Sequence, residues 1–84
     1  MTNIEIITIA EKKLKRRSIS RERVRETVNF PSQVVEGYGG CKVAQKKYMI
    51  GSKEYLLRVV DEEKEMLNVV ITAYVTSQIE RYWK

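Results

Sequence analysis

The chain contains no histidine, and that absence narrows its chemistry at once. No imidazole is available as a general base. With a single cysteine, Cys41, a structural zinc site has no ligand set. Chemistry therefore falls to Lys, Arg, Tyr, Glu, Asp or Ser. Three places concentrate such residues. One is the pair of β-branched runs that carry Arg58 in the first and Thr72 and Tyr74 in the second. Another is the tail, Gln78-Ile79-Glu80-Arg81-Tyr82-Trp83-Lys84. Its Tyr82 or Trp83 could stack on a nucleobase while Arg81 and Lys84 hold phosphate. The plain alternative is a strap whose Trp83 closes the edge of the core. The third is the run Lys12, Lys13, Lys15, Arg16, Arg17. These five cations either contact phosphates or form a solvated helix face.

Size and charge frame these candidates. The 84 residues read as one domain, 1–84. A chain this short buries only about 60–65% of its unfolded surface, so it gains from a partner. A net charge of +5 favours a polyanionic partner, either nucleic acid or an acidic protein segment. No run approaches the roughly 20 apolar residues of a membrane span, and no leader is expected at the N-terminus. A lone cysteine fits a reducing cytoplasm. Gly37-Tyr38-Gly39-Gly40 lacks both the spacing and the following helix of a phosphate loop, so it reads as a turn. No cofactor or metal is expected.

The elements that must position the candidates follow from periodicity and punctuation. Asn3 to Thr8 reads as a strand and Ala10 to Arg17 as a helix. Ser20 has the place of an N-cap, with Ile19 and Val24 spaced as a hydrophobic staple. Arg23 occupies the position where a capping box wants Glu or Gln. Val24, Thr27 and Val28 form the buried stripe of this second helix. It ends at Asn29 or Phe30, because Pro31 disfavours helical geometry before it. Phe30 is expected to pack inward. Gln33 to Glu36 and Cys41 to Ile50 read as strands.

Ile50-Gly51-Ser52-Lys53 is a tight hairpin turn. It sets Tyr48 against Tyr55, Lys46 against Leu57 and Ala44 against Val59. Gln45, Lys47 and Met49 then share a face with Arg58, Thr72 and Tyr74. Lys46 falls on the core side, from which it must snorkel. The acidic break Glu62-Glu63-Lys64-Glu65 suggests a second hairpin with Val60 opposite Met66, Arg58 opposite Asn68 and Leu57 opposite Val69. One face becomes Tyr55, Leu57, Val59, Leu67, Val69, Ile71, Ala73 and Val75, the core. The other carries Leu56, Arg58, Val60, Met66, Asn68, Val70, Thr72 and Tyr74. The expected fold is α+β, in the order β-α-α-β-β-β-β. Two N-terminal helices lie on one face of a mainly antiparallel four- to five-stranded sheet, followed by a short tail.

These residues, in this order, resemble the RelE/ParE toxin superfamily. More closely, the chain is similar to small prokaryotic proteins grouped as domain of unknown function 4258. That group has a first-helix motif His-Ala-x-x-Arg-x-x-x-Arg-Gly-Ile-Ser. The chain keeps Ala10, Arg17, Ile19 and Ser20, but has Ile9 for His, Lys13 for Arg and Ser18 for Gly. Asn29-Phe30-Pro31 meets an Asn-Pro helix end with one residue inserted. Leu57-Arg58-Val59-Val60, Val70-Ile71-Thr72-Ala73-Tyr74, and Thr76-Ser77 through Arg81-Tyr82-Trp83 match the central strand, the last strand and a frequent ending.

The resemblance implies a RelE-like fold and kinship with toxin–antitoxin systems. RelE-like toxins cleave mRNA on the ribosome without a metal, using Arg, Lys and Tyr, a chemistry compatible with the absence of histidine. In that reading Arg58 stabilises the phosphorane charge with Lys47 beside it. Tyr74 or Tyr82 handles the proton, and Arg81 with the first-helix cations and Lys84 holds RNA. The alternative for Arg58 is an ion pair with Glu54 or Glu80. A second reading is a non-catalytic protein of the same fold, either a ParE-like inhibitor of a target enzyme or a nucleic-acid-binding module. A third is an oligomeric interaction protein without nucleic acid. Expected partners are mRNA and the ribosome, and an antitoxin laid over the basic face, with the chain a monomer or homodimer. Convergence of Lys47, Arg58, Tyr74 and Arg81 in one concave site discriminates catalysis from plain binding. The lost histidine at Ile9 leaves any role of that residue unfilled.

Overall fold

The computed structural model describes residues 3–84, with Tyr38 described by its backbone alone. It is an α+β fold. Strand β1 (Asn3–Ile6) leads into helices α1 (Thr8–Arg16) and α2 (Arg21–Asn29). Strands β2 (Gln33–Glu36), β3 (Lys42–Ile50), β4 (Lys53–Lys64) and β5 (Leu67–Thr76) follow, and a one-turn helix α3 (Ile79–Tyr82) closes the tail. The sheet order is β1-β5-β4-β3-β2. Among the described residues only β1 runs parallel to its neighbour, with Asn3 beside Leu67 and Ile6 beside Val70.

Both long helices lie on one face of the sheet. Ala10, Leu14, Ile19 and Val24 from the helical layer meet Leu57, Val59, Val70 and Ala73 from the strands in one buried cluster. The first strand is shorter than expected and the helix starts earlier. Ile7, in extended geometry, takes the cap position, and its carbonyl accepts from the Glu11 amide at 2.9 Å. The end of α1 is tightly made. The Ser18 amide donates to the Lys15 carbonyl at 3.3 Å and the Ile19 amide to the Leu14 carbonyl at 2.9 Å. That pair of bonds is a Schellman motif, and buried Ile19 and Leu14 supply its apolar contact. The cost is a left-handed backbone at Ser18, φ 56°, where the motif quoted above has glycine. Ser20 then caps α2, its side chain accepting from the Arg23 amide at 3.1 Å. Phe30, in contrast to the inward packing expected, is 62% exposed. The backbone leaves helical geometry at Phe30 (φ −132°, ψ 61°), and the ring is left outside the core.

The β3–β4 register is as the Gly51 turn requires: Tyr48 opposite Tyr55, Lys46 opposite Leu57, Gln45 opposite Arg58. Lys46 stays on the helix side and is satisfied there, donating to the Phe30 carbonyl at the end of α2 at 3.0 Å. Its ammonium also lies 3.5 Å from Glu26.

The β4–β5 register differs from the expectation. The turn is Glu65-Met66, with Lys64 opposite Leu67, and Arg58 faces Tyr74 rather than Asn68. Leu57 faces Val75 and Val60 faces Thr72. The residues Asp61 to Lys64 are strand, not a break, because a two-residue turn needs no charged run to make it. Glu62, Glu63 and Lys64 stand exposed on the protruding end of the ribbon. A bulge between Val60 and Asp61 leaves Ile71 without an opposite residue. Beyond it the alternation of β5 shifts by one. Val70, expected on the mixed face, is therefore buried in the core. Asn68 turns to Asp61, which is 3% exposed, and donates to its carboxylate at 2.5 Å. Burial raises the Asp61 pKa above the ordinary carboxylate value, and the Asn68 bond opposes that only in part.

Candidate nucleic-acid interface

Arg58 lies at the middle of β4 on the face away from the helices. Its cross-strand neighbours are Gln45 and Tyr74. The guanidinium Nε donates to Gln45 Oε1 at 2.7 Å, and Nη1 donates to the Tyr74 hydroxyl. Gln45 is wholly buried. Its amide donates to Gln33 Oε1 at 3.0 Å and to the Tyr82 carbonyl at 3.4 Å. Gln33 then grips the main chain of Lys84 twice: its amide donates to the carbonyl at 2.7 Å, and its oxygen accepts from the amide at 2.9 Å. A ladder from the Arg58 guanidinium on β4 through the Gln45 and Gln33 amides on β3 and β2 thus ends on the tail.

That ladder explains where the tail lies. It holds α3 over the sheet with the Tyr82 ring centroid 4.1 Å from the Arg58 guanidinium carbon. Tyr74 meets Tyr82 edge to face, centroids 6.3 Å apart at 71°. A cation between two aromatic rings in a partly desolvated place gains about 1–2 kcal/mol from the ring quadrupoles. On the same face Leu56 is wholly buried, and Gln45 is the residue that orients Arg58. An ion pair with Glu54 or Glu80 is not what holds Arg58.

Beside this cluster runs an open groove of about 870 Å³, lined by Lys47, Glu54, Gln78, Glu80, Arg81 and Trp83 among others. The Lys47 ammonium sits 4.2 Å from the centre of the Trp83 ring. Arg81 is exposed, 5.6 Å from the Tyr82 ring and 3.4 Å from the Gln78 side-chain oxygen. Trp83 is half-buried. It belongs to the strap, and it also offers an aromatic surface flanked by cations.

The structure therefore brings Arg58, Tyr74 and Tyr82 together and sets Lys47 and Arg81 in the adjoining groove. It does not bring the first-helix cations to them. Lys12, Lys13, Lys15 and Arg16 belong to α1, across the sheet from Arg58. Arg17 plays a different part, since its Nη1 donates to the Ala73 carbonyl at 2.8 Å and lies 3.4 Å from the Thr72 hydroxyl. It ties the end of α1 to the strand that carries Tyr74. Lys84 is engaged through its main chain rather than its ammonium. Ile9, at the motif's histidine position, is 62% exposed on α1 and apart from the cluster. Sequence reasoning misses Gln45 and Gln33 as site residues. For Gln45 a signal exists, because the Gly51 turn sets it opposite Arg58. For Gln33 no signal exists before the tail is placed.

Away from this face, Glu26 accepts from the Tyr48 hydroxyl at 2.9 Å, which holds its carboxyl below the ordinary value, with Lys46 adding to the effect. Burial raises the Tyr48 phenol, and Glu26 adds to that. Among the described residues no three His, Cys, Asp or Glu side chains gather as a metal site, and no helix is long and apolar enough to cross a membrane. Comparison of the chain with protein-family models, curated proteins and solved structures finds no match.

Proposed function

We propose that the tail face binds single-stranded RNA and that the chain is a toxin-like, metal-independent endoribonuclease acting through Arg58. The observation that carries the reading is the bracket of Arg58 by Tyr74 and Tyr82 beside a groove with Lys47, Arg81 and Trp83. Aromatic surfaces interleaved with cations are what an unpaired strand needs: bases stack, and phosphates pair with the cations. In the cleavage step the ribose 2′-oxygen attacks the adjacent phosphorus and the 5′-oxygen leaves. The 2′-hydroxyl gives up one proton and the leaving oxygen takes one. Arg58 neutralises the charge that grows on the non-bridging oxygens. In this reading Tyr74, bonded to Arg58, passes the proton.

The test is mRNA integrity in a translating extract with EDTA present, for the wild type and for Arg58→Ala and Arg58→Lys. Message lost with wild type, and cleavage slowed about 10²-fold or more by both variants, fits the role of a forked guanidinium. Message left intact by the wild type removes the catalytic reading.

A second reading has its own observation. Arg58 Nε and Nη1 are already given to Gln45 and Tyr74, and Tyr82 lies over the guanidinium. Such an arginine fastens a tail. The face would then bind without cleaving, through Lys47, Arg81 and Trp83. RNA retained in a gel shift with no cleavage selects this reading.

A further inference from the structure

Strand β3 is longer than its outer neighbour. β2 pairs with Lys42 to Gln45 only, so residues Lys46 to Ile50 have no strand on that side. Which backbone groups they present is fixed by the Gly51 turn. Ile50 and Lys53 close a two-residue hairpin, so they exchange hydrogen bonds. By alternation Lys46, Tyr48 and Ile50 bond to β4, while Lys47 and Met49 turn their N–H and C=O outward. The Ser32 amide, donating to the Gln45 carbonyl at 2.8 Å, shows the same outward parity for an odd residue. Long open edges are pairing sites unless something guards them. Here the overhang ends in two exposed apolar residues, Met49 at 62% and Ile50 at 46%, one on each face.

We infer that this overhang pairs with its own copy in an antiparallel, two-fold arrangement. The register can be deduced. Outward-facing residues must meet outward-facing residues, which leaves three choices. Lys47 against the partner's Lys47 sets like charges face to face, which is destabilising. Met49 against the partner's Met49 leaves Lys47 opposite the partner's Gly51, in the turn. Lys47 against the partner's Met49 uses all four free groups on each chain and separates the lysines. It places Tyr48 beside the partner's Tyr48 as a non-hydrogen-bonded pair, the closer kind. Lys46 then faces the partner's Ile50. The exposed Met49 and Ile50 each gain a neighbour, and two five-stranded sheets become one. An isologous interface of this kind closes on itself and does not grow into fibres.

The pairing also touches the candidate interface. Lys47 stacks on Trp83, so the partner's Met49 stands beside the groove, and the two grooves lie on one continuous sheet across the axis. The dimer itself does not depend on the RNA reading.

The experiment is molar mass by light scattering and sedimentation across a concentration series, for the wild type, Met49→Pro and Met49→Lys. Proline is tolerated where an edge N–H faces outward, and a lysine at position 49 confronts the partner's Lys47. The expected result is a wild-type mass near twice the 9.9 kDa of the chain. Both variants are expected to be monomers with unchanged circular dichroism. A wild type that is monomeric at every concentration overturns the inference. So does a dimer that survives both substitutions, which would place the contact elsewhere.

Discussion

Ser18 carries the left-handed backbone that ends α1. An L-residue there costs about 1–2 kcal/mol, and glycine's extra freedom in the unfolded chain costs about 0.4–1 kcal/mol. The first term wins, so Ser18→Gly should stabilise the fold by about 0.5–1 kcal/mol, read from denaturant midpoints. Asp61 adjoins the charged run that reads as a break, so nothing in its neighbours marks it as buried; because β4 runs on through it, it shares the helix-side face of Leu57 and Val59. A carboxyl whose folded pKa is raised disfavours folding once ionised. Its penalty is absent below about pH 3.8 and grows as pH rises through the raised folded value. Above that raised value the protein bears it in full. Asp61→Asn should therefore raise the melting temperature at pH 7, with the gain vanishing as pH falls toward 3.8. An equal gain at both ends of the range would show that the carboxylate is not the cause.

Elements are legible where turn chemistry dictates them. Gly51 sets the β3–β4 register to the residue, and with it the neighbourhood of Gln45 and Arg58. Ser20 and Pro31 frame α2. The second hairpin is not legible in the same way, because its charged run looks like a break whereas Glu62 to Lys64 are exposed strand residues. The bulge then moves Val70 and Asn68 to the helix side, a shift no pattern of period two can announce. The tail reads as a strap, and the structure supplies its fastener. Gln33→Ala removes both bonds to Lys84 and should cost about 1–2 kcal/mol. Because Trp83 is the only tryptophan, its emission should shift to the red as the tail loosens. An unshifted spectrum would mean that Gln33 does not hold the tail. Gln45→Ala empties a wholly buried position and takes the acceptor from the Arg58 Nε, so it should cost more, about 2–3 kcal/mol.

Across the whole molecule, cations sit on both sides of the sheet: Lys47 and Arg81 share a groove with Trp83 on one side, and Arg17 and Arg23 line a smaller pocket with Tyr48 and Tyr55 on the helix side. Composition reveals the excess of charge but not this division, since it depends on which layer each helix joins. Binding to single-stranded RNA should weaken with salt by about 0.7 in log–log slope for each phosphate contact. Lys47→Ala and Arg81→Ala should each reduce the slope by about that amount. Lys12→Glu with Lys15→Glu should leave it nearly unchanged; a collapse of binding in that pair would move the interface to α1. The placement of the tail also carries a consequence in time. Arg58 is oriented by Gln45, covered by Tyr82 and locked by Gln33 onto Lys84, and β1 waits for residues 67–70 before it has a neighbour. Nearly every contact that defines the groove joins distant parts of the chain, so folding is slow relative to helical proteins of this size. A ribosome translating this message therefore finishes the Tyr82 and Lys84 codons before the groove exists. If the face does act on translated RNA, that action begins only after Lys84 has joined the chain.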